Sequence, residues 1–597
     1  MWGVVATVIV AVLAVAVAPA SGVAGAEPGD PLARFHQQHL DWRTCEDAAL
    51  TAEGAACTDV TVPLDYGRPD GPSIPIAVSR ISARDVAHRR GVLLTNSGGP
   101  GTPGIDAFDL VGDVLEPDVL SRYDLIGFDP RGVARSGRHQ RCGWPVAGSI
   151  RSAGVGFPGF VAETVLQAQL AADCQVGDRD WMRQLSTRNT ARDMDVIRAA
   201  LSADRISYYG VSYGTYLGAV YAQLFPDRSD RMVLDSAIDP RRYWLGLQQD
   251  WGPAVEAAFD DWADWVAARD QQYHLGDSAT AVRRGVENLI DRASLSPIVV
   301  EGFGFDDHLL PNLLWTMLRD ARLNEALASS VRAVADAADG RTPQVPPQLH
   351  QQIDAEKQGE DSVMVQIWCA DAPMPADPAW YWNAIQAARP SQPIFAALAN
   401  NIQPCAFWSP PPEPPTVVDT AVPALILQAT GDNRTPYPQA VALHQQMSGS
   451  RLITLTDTRI HMVLRPGLST CILDTTNATS ATEPSRRKTA PAPPPHASSR
   501  HVYPPLGVAD SRYDTRSDRL RGRFESVAAQ LVSIRTGPRA RTEVRLGGAR
   551  GVQVSVDPHD SGTTWPSPPM AARAPPRVNP VNRPIQGARS GAVPTWW

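Results

Sequence analysis

The sequence contains no Cys-x-x-Cys or Cys-x-x-His spacing, which leaves a zinc site without support. It shows no internal repeat, and after residue 17 it has no apolar stretch long enough to cross a bilayer. Positive charge is also scarce over most of its length. The formal net charge of the 597 residues is −8, yet residues 473–597 hold 18 Lys+Arg against 9 Asp+Glu, so residues 1–472 sum to −17. A body this acidic lacks the dense Lys/Arg surface that binds phosphate backbones, and nucleic acid is excluded as its partner. With 43% apolar and 20% charged residues, the chain is too long to be a small binding module.

What is present begins with an export signal. An apolar run over 4–17 is followed by Pro19 and Gly22 and then by Ala24-Gly25-Ala26, a small-residue cleavage site that would leave Glu27 as the first mature residue. The run has no Lys or Arg before it, and it is shorter than the roughly 18 to 20 residues of a membrane span. An exported chain pairs its cysteines. The seven here fall into three close pairs, Cys45 with Cys57, Cys142 with Cys174 and Cys369 with Cys405, leaving Cys471 over. Spacing alone does not prove connectivity, and buried free thiols are the other reading.

Apolar runs at 91–95, 123–128, 206–210, 231–234, 424–429 and 451–455 read as buried parallel strands. Helical patterns lie between them, the clearest at 190–201, where Thr190 and Asp193 suit a capping box and Met194, Ile197 and Leu201 share a face. The alternation predicts an α/β domain with a mainly parallel sheet. It stops between 239 and 422, where Trp251, Val255, Phe259, Trp262 and Trp265 recur at helical spacing, as core packing would require. The expected organisation is a signal at 1–26, a first core part at 27–238, a helical lid insertion at 239–415 and a second core part at 416–472. Pro-rich 410–415 is the linker back to the sheet, and a disordered Pro/Arg-rich tail occupies 473–597.

The most specific local signal is Ile206-Ser207-Tyr208-Tyr209-Gly210-Val211-Ser212-Tyr213-Gly214-Thr215, a strand running into Gly-x-Ser-x-Gly and then a helix-compatible segment. In such an elbow the glycines let backbone pass closely while the serine is pushed out of the sheet. A serine hydroxyl needs a base, and the base needs an acid to hold its tautomer. The strand at 424–429 ends at Gly431-Asp432 and the strand at 451–455 is followed by His461, which places both at the sheet edge that carries Ser212. Asp457 and His444 are alternatives, and Asp432 with His461 is preferred. Acyl transfer also needs N–H donors for the oxyanion. Tyr213, after the nucleophile, and Gly98 and Gly99 in Asn96-Ser97-Gly98-Gly99-Pro100-Gly101 are the candidates.

Together with Gly127-Phe128-Asp129-Pro130-Arg131-Gly132, Ser136 and Asp432-x-x-Thr435-Pro436, these motifs over roughly 40–471 resemble the secreted tripeptidyl aminopeptidases of actinobacteria. Those enzymes are prolyl-aminopeptidase-like serine peptidases. The resemblance implies an α/β-hydrolase fold with a lid inserted after the sixth strand, no cofactor or metal, and release of short peptides from free peptide or protein N-termini. The sequence departs from the family at Ile460-His461-Met462, where Gly-His-Gly is common, and at Ser97, where Pro is common. An aminopeptidase must also bind the substrate's ammonium, and the resemblance points to the lid, with Asp371 as candidate; a solvated acid beside a disulfide is the alternative. A secreted esterase or lipase and an inactive envelope-associated binding protein are the competing functions.

Relatives end near a further cysteine, the natural partner of Cys471, whereas no Cys follows it here. A reading-frame shift soon after Cys471 would explain both the unpaired cysteine and the 17 Pro among residues 473–597, and it would remove a closing helix. A basic, wall-associating segment is the alternative.

Overall fold

The computed structural model describes residues 30–137 and 141–481. The expected signal at 1–26 and the expected tail beyond 481 lie outside the described residues. In chain order the strands are β1 (Arg43–Thr44), β2 (Ala56–Pro63), β3 (Ser73–Ile81), β4 (Gly91–Asn96), β5 (Tyr123–Phe128), β6 (Ile206–Val211), β7 (Ser229–Asp235), β8 (Ile298–Val300), β9 (Phe303–Phe305), β10 (Ala424–Ala429) and β11 (Ser450–Leu455). Nine of them form one sheet in the order β1-β2-β3-β5-β4-β6-β7-β10-β11, and β8 pairs with β9 apart from it.

From β5 through β11 every neighbouring pair is parallel, whereas β1, β2 and β3 join antiparallel. All six expected strands form. β5, β6 and β10 are buried along their whole length, as runs such as Ala-Leu-Ile-Leu-Gln-Ala require when helices cover both faces. β11 differs from the expectation of burial: it is the edge strand and remains half-buried.

The helix expected at 190–201 runs Thr187–Ala200, and its cap is Ser186, whose hydroxyl accepts the N–H of Asn189. Thr190 is therefore one turn inside. Asp193 is drawn inward instead, where Arg131 bonds it through Nε at 2.7 Å and Nη2 at 2.6 Å, and Tyr66 donates to it at 2.8 Å. Asp193 and Arg131 are both buried. Arg131 also donates to the carbonyls of Pro63, Leu64 and Gln184, so one guanidinium ties this helix to the end of β2.

Between β7 and β10 the chain is mostly helical, led by Leu245–Ala267, Ala279–Leu295, Asn324–Ala338 and Ser362–Asp371, with β8 and β9 among them. Trp251, Val255, Phe259 and Trp262 are buried in one continuous apolar cluster with Val92, Leu94 and Ile206 of the sheet, so the stripe is core packing. Trp265 is only partly buried, beneath the guanidinium of Arg269. The run 410–415 is largely exposed, and Glu413 within it pairs with Arg188 and Arg192. Disulfides join Cys45–Cys57, Cys142–Cys174 and Cys369–Cys405, and Cys471 is free and exposed.

Of the disorder expected over 473–597, the structure corrects residues 473–481. Thr470–Ala481 is a helix that buries Ile472, Thr476, Asn477 and Ser480 against the sheet. Its sequence is a weak helix former rich in Thr, Asn and Ser, so partners elsewhere hold it. Tyr123 donates to the carbonyl of Ser480, Arg231 to that of Thr479 and Arg90 to that of Ala481, while Asn477 bonds both Glu116 and Val114. The last carbonyls of a helix are unsatisfied within it, and two arginines answer them here.

Candidate active site

Ser212 stands between β6 and the helix Tyr213–Leu224 with φ 55 and ψ −120, a backbone state that L-residues rarely adopt. Such strain, of about 1–3 kcal/mol, persists only where surroundings enforce it. Here the Ser212 N–H donates to the carbonyl of Asp235, while Ser212's own carbonyl accepts from Thr215 N and Oγ1. The flanking glycines are forced. A Cβ at Gly210 would sit 2.4 Å from the Gly214 carbonyl oxygen, and one at Gly214 would sit 2.8 Å from that of Asn96. Gly98 lies against the elbow from the other side, where a Cβ would come 2.7 Å from the Val211 oxygen and 3.2 Å from the Ser212 Cβ.

At the adjoining strand ends His461 and Asp432 meet, both buried. Nδ1 of His461 lies 2.9 Å and 3.1 Å from the two carboxylate oxygens. Asp432 also accepts N–H groups of Arg434 and Thr435, the Thr435 hydroxyl and the Gln428 amide. Burial alone would push its pKa up, but the neighbouring His461 and these hydrogen bonds outweigh it and hold the carboxyl below its ordinary range. An ionised Asp432 accepts a hydrogen bond from Nδ1–H, a tautomer that leaves Nε2 unprotonated. Of the alternatives, Asp457 is exposed and forms no ion pair among the described residues, and His444 bonds Ser450. Asp432 also lines a cavity of about 950 Å³, together with Ala254, Ala258, Pro436, Tyr437 and Asp457.

The glycine loop has positive φ at Gly98, Gly99 and Gly101. Gly98's N–H is spoken for, because the Asn96 side-chain oxygen accepts it at 3.0 Å. The N–H groups of Gly99 and Tyr213 have no hydrogen-bond partner among the described residues and are free to donate. Ser97 donates to the carbonyl of Pro103. Asp129 supports the same loop by accepting N–H groups of Gly104 and Ile105 at 2.9 and 3.1 Å. Ser136 donates to Asp129's carbonyl and accepts from Ala77. The roles of Asn96 and Asp129 escaped the sequence reading. An Asn two residues before a glycine pair signals a side chain that captures backbone N–H, and it could have revealed the first.

Asp371 is buried rather than a solvated acid beside the Cys369–Cys405 disulfide. It accepts the Thr187 N–H and hydroxyl, each at 2.6 Å, and that hydroxyl is 2.8 Å from the phenol of Tyr213. Burial pushes its pKa up to about 7, against the lowering effect of the Thr187 bonds and of Arg188. Tyr213, Tyr216 and Tyr243 pack around this chain, with Tyr216 and Tyr243 stacked at 3.9 Å.

Residues 91–458 match the sequence model of the alpha/beta hydrolase fold. The chain is 34% identical over 459 residues to the tripeptidyl aminopeptidase of Streptomyces coelicolor, covering 72% of this chain and 82% of that one. It is 31% identical over 473 residues to serine protease Hip1 of Mycobacterium tuberculosis, covering 73% and 87%. Carboxylesterase B of the same organism is 31% identical over 472 residues, covering 73% and 86%.

Proposed function

The chain belongs to the α/β-hydrolase family as a serine hydrolase, and from that premise we propose that it is an exported exopeptidase releasing short peptides, tripeptides foremost, from free N-termini. The observation that carries the reading is the buried Asp432–His461 pair at the strand ends beside the strained Ser212 elbow. Ser212 attacks the carbonyl carbon of the scissile bond while Nε2 of His461 takes its proton. Asp432 holds the imidazole and stabilises the imidazolium. Gly99 and Tyr213 donate N–H to the oxyanion, the imidazolium protonates the leaving amine, and water then releases the acyl group.

The peptide preference rests on the tripeptidyl aminopeptidase and serine protease relatives. The three disulfides favour an oxidising compartment outside the cytoplasm, and no described helix is long and apolar enough to cross a membrane. Asp371 is the proposed acceptor of the substrate ammonium; its two oxygens already hold Thr187, so it would act as a charge behind that residue. An esterase is the second reading, favoured by the carboxylesterase relative.

The deciding experiment compares tripeptide anilides, their N-blocked counterparts and short acyl esters on the parent chain and on Ser212→Ala. Preferential turnover of free-amine tripeptides, lost in Ser212→Ala, is the expected result. Equal turnover of blocked and free peptides would overturn the exopeptidase reading, and turnover of esters alone would establish the second.

A further inference from the structure

The loop that carries His461 is held by two residues outside the proposed triad, Asp235 and Ser236, at the carboxyl end of β7. Asp235 is fully buried. Its Oδ1 accepts the N–H of Val463 and its Oδ2 that of Leu464, both at 2.9 Å. The Tyr209 phenol donates to Oδ2 at 3.2 Å and the Ser236 hydroxyl to Oδ1 at 3.3 Å. Ser236 Oγ in turn accepts the N–H of Met462 at 2.8 Å. Three consecutive N–H groups directly after His461 thus end on one dipeptide.

The loop needs such a clamp. Met462 has φ 73 in the left-handed region, where a side chain is disfavoured and glycine is the usual residue. Arg465 holds the Met462 carbonyl at 3.1 Å, and Ser236 supplies the acceptor for the Met462 N–H. The clamp also reaches the other two catalytic strands through its main chain. The Asp235 carbonyl accepts the Ser212 N–H at 2.9 Å, and the Ser236 N–H donates to Leu427 in β10, the strand leading to Asp432. Elsewhere His461 is anchored by its N–H to the Arg319 carbonyl, by its own carbonyl to Arg465 and by Nδ1 to Asp432. Those contacts fix one residue, whereas the Asp235–Ser236 pair fixes the course of the chain beyond it.

We propose that Asp235, acting with Ser236, is a positioning residue that sets His461 over Ser212, serving proton transfer and not substrate binding. The proposal rests on the Ser212–His461–Asp432 reading. An error near 1 Å in a proton-transfer geometry can lower turnover by about a hundredfold while leaving substrate affinity intact.

The test uses the full chain with p-nitrophenyl acetate and a fluorophosphonate probe, which report acylation of Ser212 whatever the peptide preference. An unreactive parent chain would sink the hydrolase reading itself, separately from this proposal. Asp235→Asn keeps the size but turns one acceptor oxygen into an N–H2 group facing an N–H. Its kcat is expected to fall about 10- to 100-fold with KM within about twofold, at unchanged circular dichroism. Should that variant not fold, Ser236→Ala, which removes only the acceptor for Met462, decides the matter. Its kcat is expected to drop several-fold and to recover in part when Met462→Gly, at ease at positive φ, is added. Parental kcat in the folded variant, or a loss that tracks only the unfolded fraction, would overturn the proposal.

Discussion

Replacing Asp371 by Asn should make the protein more stable, and increasingly so as pH rises. In the folded chain burial lifts the Asp371 pKa from 3.8 to about 7. The unfolded chain is thus ionised from near pH 4 upward while the folded chain still holds its proton. Between those values the folded state binds more protons, so stability falls with rising pH, and the fall is complete above about pH 7. Three pKa units at about 1.4 kcal/mol each give a loss on the order of 4 kcal/mol. Asn fits the site without the titration. Its oxygen still accepts the Thr187 N–H, and its N–H2 meets the Thr187 hydroxyl, which is free to donate to the Tyr213 phenol instead. The assay is thermal unfolding of parent and Asp371→Asn at pH 5, 6, 7 and 8. The gap in Tm should widen from pH 5 to 7 and then level off. A gap that is flat, or that narrows with pH, would refute the placement of a buried, mostly protonated carboxyl. The same variant bears on function: above about pH 7, where Asp371 is ionised and can serve as the ammonium's counter-charge, kcat/KM for free-amine peptides should fall in Asp371→Asn while ester turnover holds.

Arg131→Met should destabilise the chain by about 3–5 kcal/mol in urea unfolding, because it strands the buried carboxylate of Asp193; a loss under 1 kcal/mol would mean the pair is not desolvated. Gly210→Ala should abolish fluorophosphonate labelling of Ser212, since the new Cβ would stand 2.4 Å from the Gly214 carbonyl oxygen and must open the elbow, and parental labelling would contradict that crowding. The double change Cys369→Ser with Cys405→Ser should lower stability by about 2–4 kcal/mol, as removal of a link across 36 residues predicts, with an unchanged Tm as the contrary result.

What the sequence displays openly is whatever depends on neighbours in the chain. Strands at 123–128 and 424–429 could be bounded to the residue because they are buried throughout and end at turn residues. The elbow could be read because Gly210 answers a crowding four residues on, at the Gly214 carbonyl, although Gly214 itself answers to the distant Asn96. Both fail as guides where a distant group decides. Thr190 and Asp193 look like a cap, yet Arg131, 62 positions earlier, claims Asp193, and the helix starts at Ser186's expense instead. The polar stretch from Thr475 to Ala481 looks like the start of a tail, yet arginines 90 and 231 and Tyr123 make it the helix that closes one face of the sheet. Asp235 ends an apolar strand and carries no motif, and its hydrogen bonds reach N–H groups 228 and 229 residues onward. The proposed nucleophile, base and acid were legible because each sits at a strand end beside its own turn. The residues that hold them to one another were not, because a hydrogen bond between remote backbone and a buried carboxylate leaves no pattern in either segment alone. For this chain, then, loss of catalysis with folding retained is expected chiefly at such tethers, and a search for residues that tune turnover should begin at Asn96, Asp129 and Asp235 before Trp251 and Trp262 of the helical stretch between β7 and β10, which pack the core.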